Sequence, residues 1–205
     1  MTVKDPQQVL EELKSGNTRF LEGNSIQSPH LSLKKLKDFA QTGQVPKAIV
    51  LCCSDSRAPV EMIFDQDIGD LFVIRVAGNI IAPSLVGSVE FAAGAFGTNL
   101  VLVMGHTQCG AVDAALTYIE SPQAIVSENI HDIVSRITPH IFSIAQLPDL
   151  THEQKMERAV ETNARASVNQ LSHSSRLIEG LVQQKKIKIV GAVLDLSSGK
   201  VRFLE

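Results

Sequence analysis

The stretch KAIVLCC at residues 47–53 decides the fold. It is apolar at almost every position, and LFVIRV at 71–76 and LVLVMG at 100–105 share that character. A strand with one wet face alternates apolar and polar residues, whereas a strand covered on both faces does not. Three such runs predict an α/β fold, a mostly parallel central sheet flanked by helices. The sequence between and beyond them agrees. Ser84 is placed to cap a helix over LVGSVEFAAGAFG, and another helix opens at Cys109 and runs to Ile119. Residues 128–137, 151–170 and 174–186 also read as helical, the last ending in Lys185-Lys186, charges favourable at a helix C-terminus. IKIVGAVL follows as a fourth strand. A turn over Asp195–Gly199 then returns VRFL beside it as a C-terminal antiparallel edge strand.

Ahead of the first strand, Asp5-Pro6 reads as a cap and first helical turn, and Val9, Leu10, Leu13, Phe20 and Leu21 recur with helical spacing up to Gly23. A second amphipathic stretch follows Ser32, with Leu33, Leu36, Phe39 and Ala40 on one side. Residues 1–42 are therefore expected to form a helical arm and 43–205 the α/β core of one domain, joined by Gly43-Gln44-Val45-Pro46. The 205 residues suit one domain, and the 44% apolar content excludes a disordered chain. A net charge of −3 argues against broad nucleic-acid binding. Three cysteines cannot close a disulfide framework, and Cys52 and Cys53, as neighbours on a strand, point to opposite faces. The N-terminus has no apolar signal region and no run approaches the about 18 apolar residues of a membrane span, so the expected location is cytoplasmic, with no membrane partner.

Two polar clusters arrive where strands stop: CCSDSRAP at 52–59 and GHTQCGA at 105–111. Ligands of open parallel sheets bind at the carboxyl ends of the strands, so both clusters belong to one rim. His106 and Cys109 are spaced to turn toward a common metal, and Cys53 would supply a third soft ligand from the neighbouring strand. Such a Cys2His set with one position left open describes a catalytic zinc site, and thiolates favour zinc over magnesium or calcium. A lone H-x-x-C also fits residues that merely pack or cap at a helix start; the arrival of Cys53 at the same rim favours metal. Cys52 then points into the packing as a small hydrophobe. Asp55 and Arg57 alternate after Cys53, and if strand geometry persists all three share one side, the arginine holding the carboxylate ionised. A capping aspartate beside a solvated arginine is the alternative.

Other features carry less. The glycines form neither G-x-G-x-x-G nor a P-loop. Lys34, Lys35 and Lys37 lack interleaved aromatics and are expected to be a solvated helix face rather than a nucleic-acid patch. His30, His131, His140, His152 and His173 are scattered, as surface or packing residues are.

Over nearly its whole length the chain resembles the β-class carbonic anhydrases. The resemblance rests on C-S-D-S-R at 53–57 and G-H-x-x-C-G at 105–110, with FDQDIGDLFVIRVAGN at 64–79 and KIVGAVLDLSSGKV at 188–201. It implies zinc-dependent reversible hydration of CO2 to bicarbonate and a proton, with one Zn2+ per subunit on Cys53, His106 and Cys109. Asp55 and Arg57 would be the catalytic dyad. Gln44 matches a glutamine of the plant-like subgroup that crosses the dimer interface toward the reacting oxygen. Phe72 and Phe91 match lining residues of a small apolar pocket completed by Val76 and Gly110; Phe91 stands where that subgroup often has Tyr. A different subgroup uses a Trp three residues before the first Cys for regulation and closes its site with the dyad aspartate; this chain has Val50 there and no Trp, so an open site is implied. The resemblance also implies a homodimer with the arm laid on its partner, with dimers pairing further. The same metal site acting on CS2 or COS, and a non-catalytic zinc-binding dimer, are the competing readings.

Overall fold

The computed structural model describes residues 5–27 and 31–204; His30 lies outside the described residues. Five strands form one sheet: β1 (Ala48–Cys52), β2 (Leu71–Arg75), β3 (Leu100–His106), β4 (Lys188–Leu194) and β5 (Val201–Leu204), in the order β2-β1-β3-β4-β5. All neighbours run parallel except β4 and β5, which pair antiparallel as the hairpin reading expected. Every residue of β1 and β3 is buried, which explains why neither alternates. Ala48, Val50 and Cys52 point into one cluster, Ile49 and Leu51 into another on the opposite face.

The first cluster is closed by α1 (Pro6–Leu21) and the short α3 (Val60–Ile63). Asp5 caps α1, its carboxylate accepting from the Gln7 amide at 3.1 Å, and Pro6 occupies the first turn, where its missing N–H is not needed. Val9, Leu10 and Leu13 seat α1 on the sheet, so this half of the expected arm belongs to the core. Its approach is close: a Cβ on Gly16 would lie 1.8 Å from the Phe64 carbonyl oxygen. Buried Asn17 secures the seat, donating to the carbonyls of Ile63 and Gly199 and accepting from the Val201 amide. In α2 (Leu33–Thr42), by contrast, no residue is buried, and Leu33 and Leu36 are 68% and 50% exposed. Lys35 is not the solvated residue expected, because its ammonium holds the Asp67 carboxylate at 2.5 and 2.6 Å and ties α2 to the loop before β2.

The remaining helices are α4 (Pro83–Phe96), α5 (Gly110–Glu120), α6 (Glu128–Ala145), α7 (His152–Ser172) and α8 (Arg176–Gln183). Three boundaries differ from the sequence reading. Helix α4 begins before Ser84: Ala82 is the cap position and Pro83 fixes the first helical φ, leaving Ser84 inside the helix. Helix α6 does not stop at 137 but continues through Pro139, because Ile141 and Ala145 extend its buried stripe beyond the lost backbone bond. Helix α8 ends at Gln183, short of the lysines. Lys185 takes a left-handed φ of 56°, its amide bonds Val182 O and that of Lys186 bonds Leu181 O, a helix-closing pair of the Schellman kind.

Candidate metal centre

The sheet order reverses direction between β1 and β3, and in such sheets the crevice at that switch point receives the ligand. Register makes this concrete. Cys52 pairs with Met104, so Cys53, one residue on, arrives level with Gly105 and beside His106 at the end of β3. The chain then turns through Gln108, at a left-handed φ of 57°, and delivers Cys109 as the cap residue of α5. Cys53 Sγ, a His106 ring nitrogen and Cys109 Sγ consequently lie within 4.8 Å of one another, with the two sulfurs 4.0 Å apart.

All three side chains are buried, and all three cysteines are free thiols. His106 Nδ1 sits 2.8 Å from Thr107 O; a carbonyl only accepts, so Nδ1 holds the proton and Nε2 is the bare nitrogen. That buried Nε2 has no hydrogen-bond partner among the described residues, and a metal ion is the partner its lone pair fits. The sulfurs point the same way. The hydrogen bond from the Cys109 thiol, with smaller help from the Gly78 amide, draws the Cys53 thiol well below its ordinary range despite burial. Cys109 is pushed up because it retains the proton that bridges to Cys53. A dication held by these residues would remove that conflict by taking both sulfurs as thiolates. Cys52 is the inert neighbour expected, its pKa pushed up to about 12 by burial.

Asp55 and Arg57 are brought to this centre, but not by strand alternation. Strand β1 stops at Cys52, and a turn takes over in which the Asp55 carboxylate accepts the Arg57 amide at 2.9 Å. The Arg57 guanidinium then returns onto the same carboxylate as a fork, Nε to Oδ1 at 3.0 Å and Nη2 to Oδ2 at 2.7 Å. These bonds hold the Asp55 carboxyl well below the usual carboxylate range. Oδ2 stands 3.8 Å from His106 Nε2, within reach of anything bound there. Arg75 holds the segment from behind, Nε on Cys53 O at 3.0 Å and Nη2 on Asp55 O at 2.5 Å.

The other expected site residues are dispersed in the single chain. Gln44 is exposed on the connector after α2. Phe72 and Phe91 join Phe96 in an aromatic group, with Phe91 58% exposed. Val76 packs partly buried against the cluster containing Cys53 and Cys109, and Gly110 lines a cleft of about 630 Å³ with Gln108, Asp113 and His152. The four scattered histidines that are described have ordinary partners: Tyr118, Gln170, Asp113 and Asn169 O for His131, His140, His152 and His173. Sequence reasoning missed the turn Ala77–Asn79, whose Gly78 amide donates to Cys53 Sγ at 3.4 Å. Its only signal was V-A-G-N directly after an apolar run, a Gly-Asn pair suited to left-handed backbone.

A buried Cys2His cluster that could hold a metal ion, with a tethered carboxylate beside it at the switch point of a parallel sheet, is the arrangement expected of a metal-dependent hydratase or hydrolase. Comparison with known proteins makes the class specific. The carbonic anhydrase family model matches residues 48–201. The chain is 33% identical over 203 residues to a carbonic anhydrase of Mycolicibacterium smegmatis, covering 99% of this chain and 95% of that protein. It is 33% identical over 196 residues to carbonic anhydrase 2 of Mycobacterium tuberculosis, covering 96% and 91%. Among solved structures, the β-carbonic anhydrase CcaA superposes with a TM-score of 0.73 at 26% identity, covering 96% of this chain and 92% of that one. Tetrameric β-carbonic anhydrases of Sordaria macrospora share the fold at a TM-score of 0.71 and 20% identity, covering 96% and 97%. The chain belongs to the β-class carbonic anhydrase family.

Proposed function

We propose that the chain catalyses the reversible hydration of CO2 to bicarbonate and a proton, using zinc held by Cys53 Sγ, His106 Nε2 and Cys109 Sγ. The observation that carries this reading is a bare buried imidazole nitrogen within 4.8 Å of two thiols, with an ionised carboxylate fixed 3.8 Å away. Zinc at such a site supplies a Lewis acid that brings the pKa of water down toward neutrality. The chain's own residues do the rest. Asp55 Oδ2 accepts a hydrogen bond from the attacking water and turns its lone pair toward CO2. Arg57 keeps Asp55 ionised and engages both of its carboxylate oxygens, which supports an open, plant-like site in which Asp55 does not itself bind the metal. Because Asp55 stays ionised, the proton released on hydration passes to solvent, toward which Arg57 is half exposed.

The site is completed by a second copy of the chain. The uncovered apolar face of α2 and the exposed Gln44 and Phe91 support a homodimer in which the partner subunit's Gln44 donates to the oxygen that gains charge. Phe72, Phe91, Val76 and Gly110 are assigned to the apolar side of the pocket. Pairing of dimers is assigned by analogy with the tetrameric Sordaria enzymes. Among the described residues no helix is long and apolar enough to cross a membrane, and three free thiols are suited to the cytoplasm. The test is metal analysis of the purified protein together with stopped-flow CO2 hydration, run beside COS and CS2. One zinc per chain with rapid CO2 hydration is expected; zinc without CO2 hydration, or turnover of the sulfur substrates alone, refutes the assignment.

A further inference from the structure

Helix α7 contributes nothing to the metal ligands or the carboxylate dyad, yet two of its buried polar side chains reach the turn beside them. Asn163 Nδ2 donates to Gly78 O at 2.8 Å, and Ser167 Oγ donates to Asn79 O at 3.0 Å. The two are four residues apart, hence on one helix face, and grip consecutive carbonyls of the Ala77–Asn79 turn. Both are at most 2% exposed, so neither bond is shared with water.

The gripped turn is an unusual one. Gly78 has φ 70° and ψ 17°, and Asn79, a residue with a side chain, has φ 44°. Glycine adopts left-handed backbone freely and asparagine more readily than most residues, so the sequence permits this turn while the side chains packed on it restrain it. The consequence of that conformation is the aim of the Gly78 N–H onto Cys53 Sγ at 3.4 Å. Holding Gly78 O and Asn79 O restrains the peptide planes that leave Gly78, and so limits how far the preceding Ala77–Gly78 amide can turn away from the sulfur.

We infer that Asn163 and Ser167 are positioning residues for the metal centre, acting through the Ala77–Asn79 turn to hold the Gly78 amide on the Cys53 sulfur. An N–H donated to a ligating sulfur sets its direction and tempers the charge it gives the metal. Groups of this kind, one step removed from the ion, influence metal affinity about 10–100-fold. The inference rests on the zinc reading of Cys53, His106 and Cys109.

The test is a zinc titration of metal-free wild type, Ser167→Ala, Asn163→Ala and the double variant against a chromophoric chelator, with the thiolate-to-metal absorption recorded after cobalt loading. Each single variant, acting one step further out than the amide itself, is expected to weaken zinc binding more than twofold and up to about 10-fold and to shift the cobalt band. The double variant should be no weaker than the product of the two, since both act through one turn. Thermal unfolding of the metal-free forms is measured alongside. Variants that lose thermal stability but bind zinc within about twofold of wild type and keep its cobalt spectrum overturn the inference. Ser167→Ala removes a single oxygen, so it keeps the question answerable if Asn163→Ala does not fold. Failure of the wild type itself to bind zinc defeats the metal reading, which is a different result from equal binding by all four proteins.

Discussion

Gly78→Ala tests the geometry of the turn that faces Cys53, and its magnitude follows from two separate terms. The first is backbone: at φ 70° a residue with a Cβ loses about 1–2 kcal/mol relative to glycine. The second is steric. The new methyl would lie 2.7 Å from Ile137 Cδ1 and 3.0 Å from Ala111 Cβ, inside a packed cluster, and overpacking of that kind costs about 1–3 kcal/mol. Together they predict a loss of about 2–5 kcal/mol, or roughly 4–20 °C in Tm for a domain of this size. The two terms can be separated, because Ile137→Val removes the very carbon that collides. Alone that change costs about 0.5–1.5 kcal/mol. Combined with Gly78→Ala it should recover the Ile137 part of the steric share and leave the Ala111 contact, so the double variant is more stable than the sum of the singles by about 1 kcal/mol. The assay is urea unfolding of the metal-free proteins at one fixed chain concentration. Additivity within about 0.5 kcal/mol, or a Gly78→Ala protein as stable as wild type, would refute the turn as described.

Cys109→Ser replaces a thiolate by a hydroxyl, and zinc affinity should fall by more than about 100-fold, beyond the range seen when a ligand's outer partner is lost; full zinc occupancy under chelator would remove Cys109 from the site. Asp55→Ala should keep one zinc per chain while CO2 hydration drops about 100-fold or more, and undiminished turnover would end the proposed role of the dyad. Gln44→Ala should lower turnover with zinc content unchanged, and mixing it with a Cys109→Ser chain should restore about half the sites of each mixed dimer if Gln44 serves the partner. Lys35 holds the Asp67 carboxyl below the usual carboxylate range, so that tie is complete above the ordinary aspartate pKa and is lost as pH falls through the lower folded value. Protection of the α2 amides, measured relative to the intrinsic exchange rate at each pH, should therefore fall on acidification below about pH 4 before that of β1, and Asp67→Asn should reproduce the effect at neutral pH.

What the sequence disclosed depended on how local each cause is. The strands β1 and β3 are buried throughout, so their pattern could be read without reference to partners. The cap at Asp5 and the Cys109 helix start are likewise set within a few residues. The boundary of α6 was not readable this way, because Pro139 is a local stop signal that Ile141 and Ala145 outweigh only once the helix has a surface to cover. The same distinction divides the metal centre. Cys53, His106 and Cys109, the cluster proposed to hold zinc, are legible because strand ends collect at one rim, and that requires only the identity of three residues. The groups that orient them are different in kind. Arg57 can be paired with Asp55 from proximity in sequence, although a turn rather than continued strand brings them together. Asn163 lies 85 residues from the carbonyl it holds and Ser167 lies 88 from its own, so no spacing rule joins them to the site. A ligand set can therefore be legible in a single sequence while the contacts that aim it are not. Ligands must carry particular side chains, but an aiming contact needs only some donor at the right point in space, and that point exists only when the chain has folded.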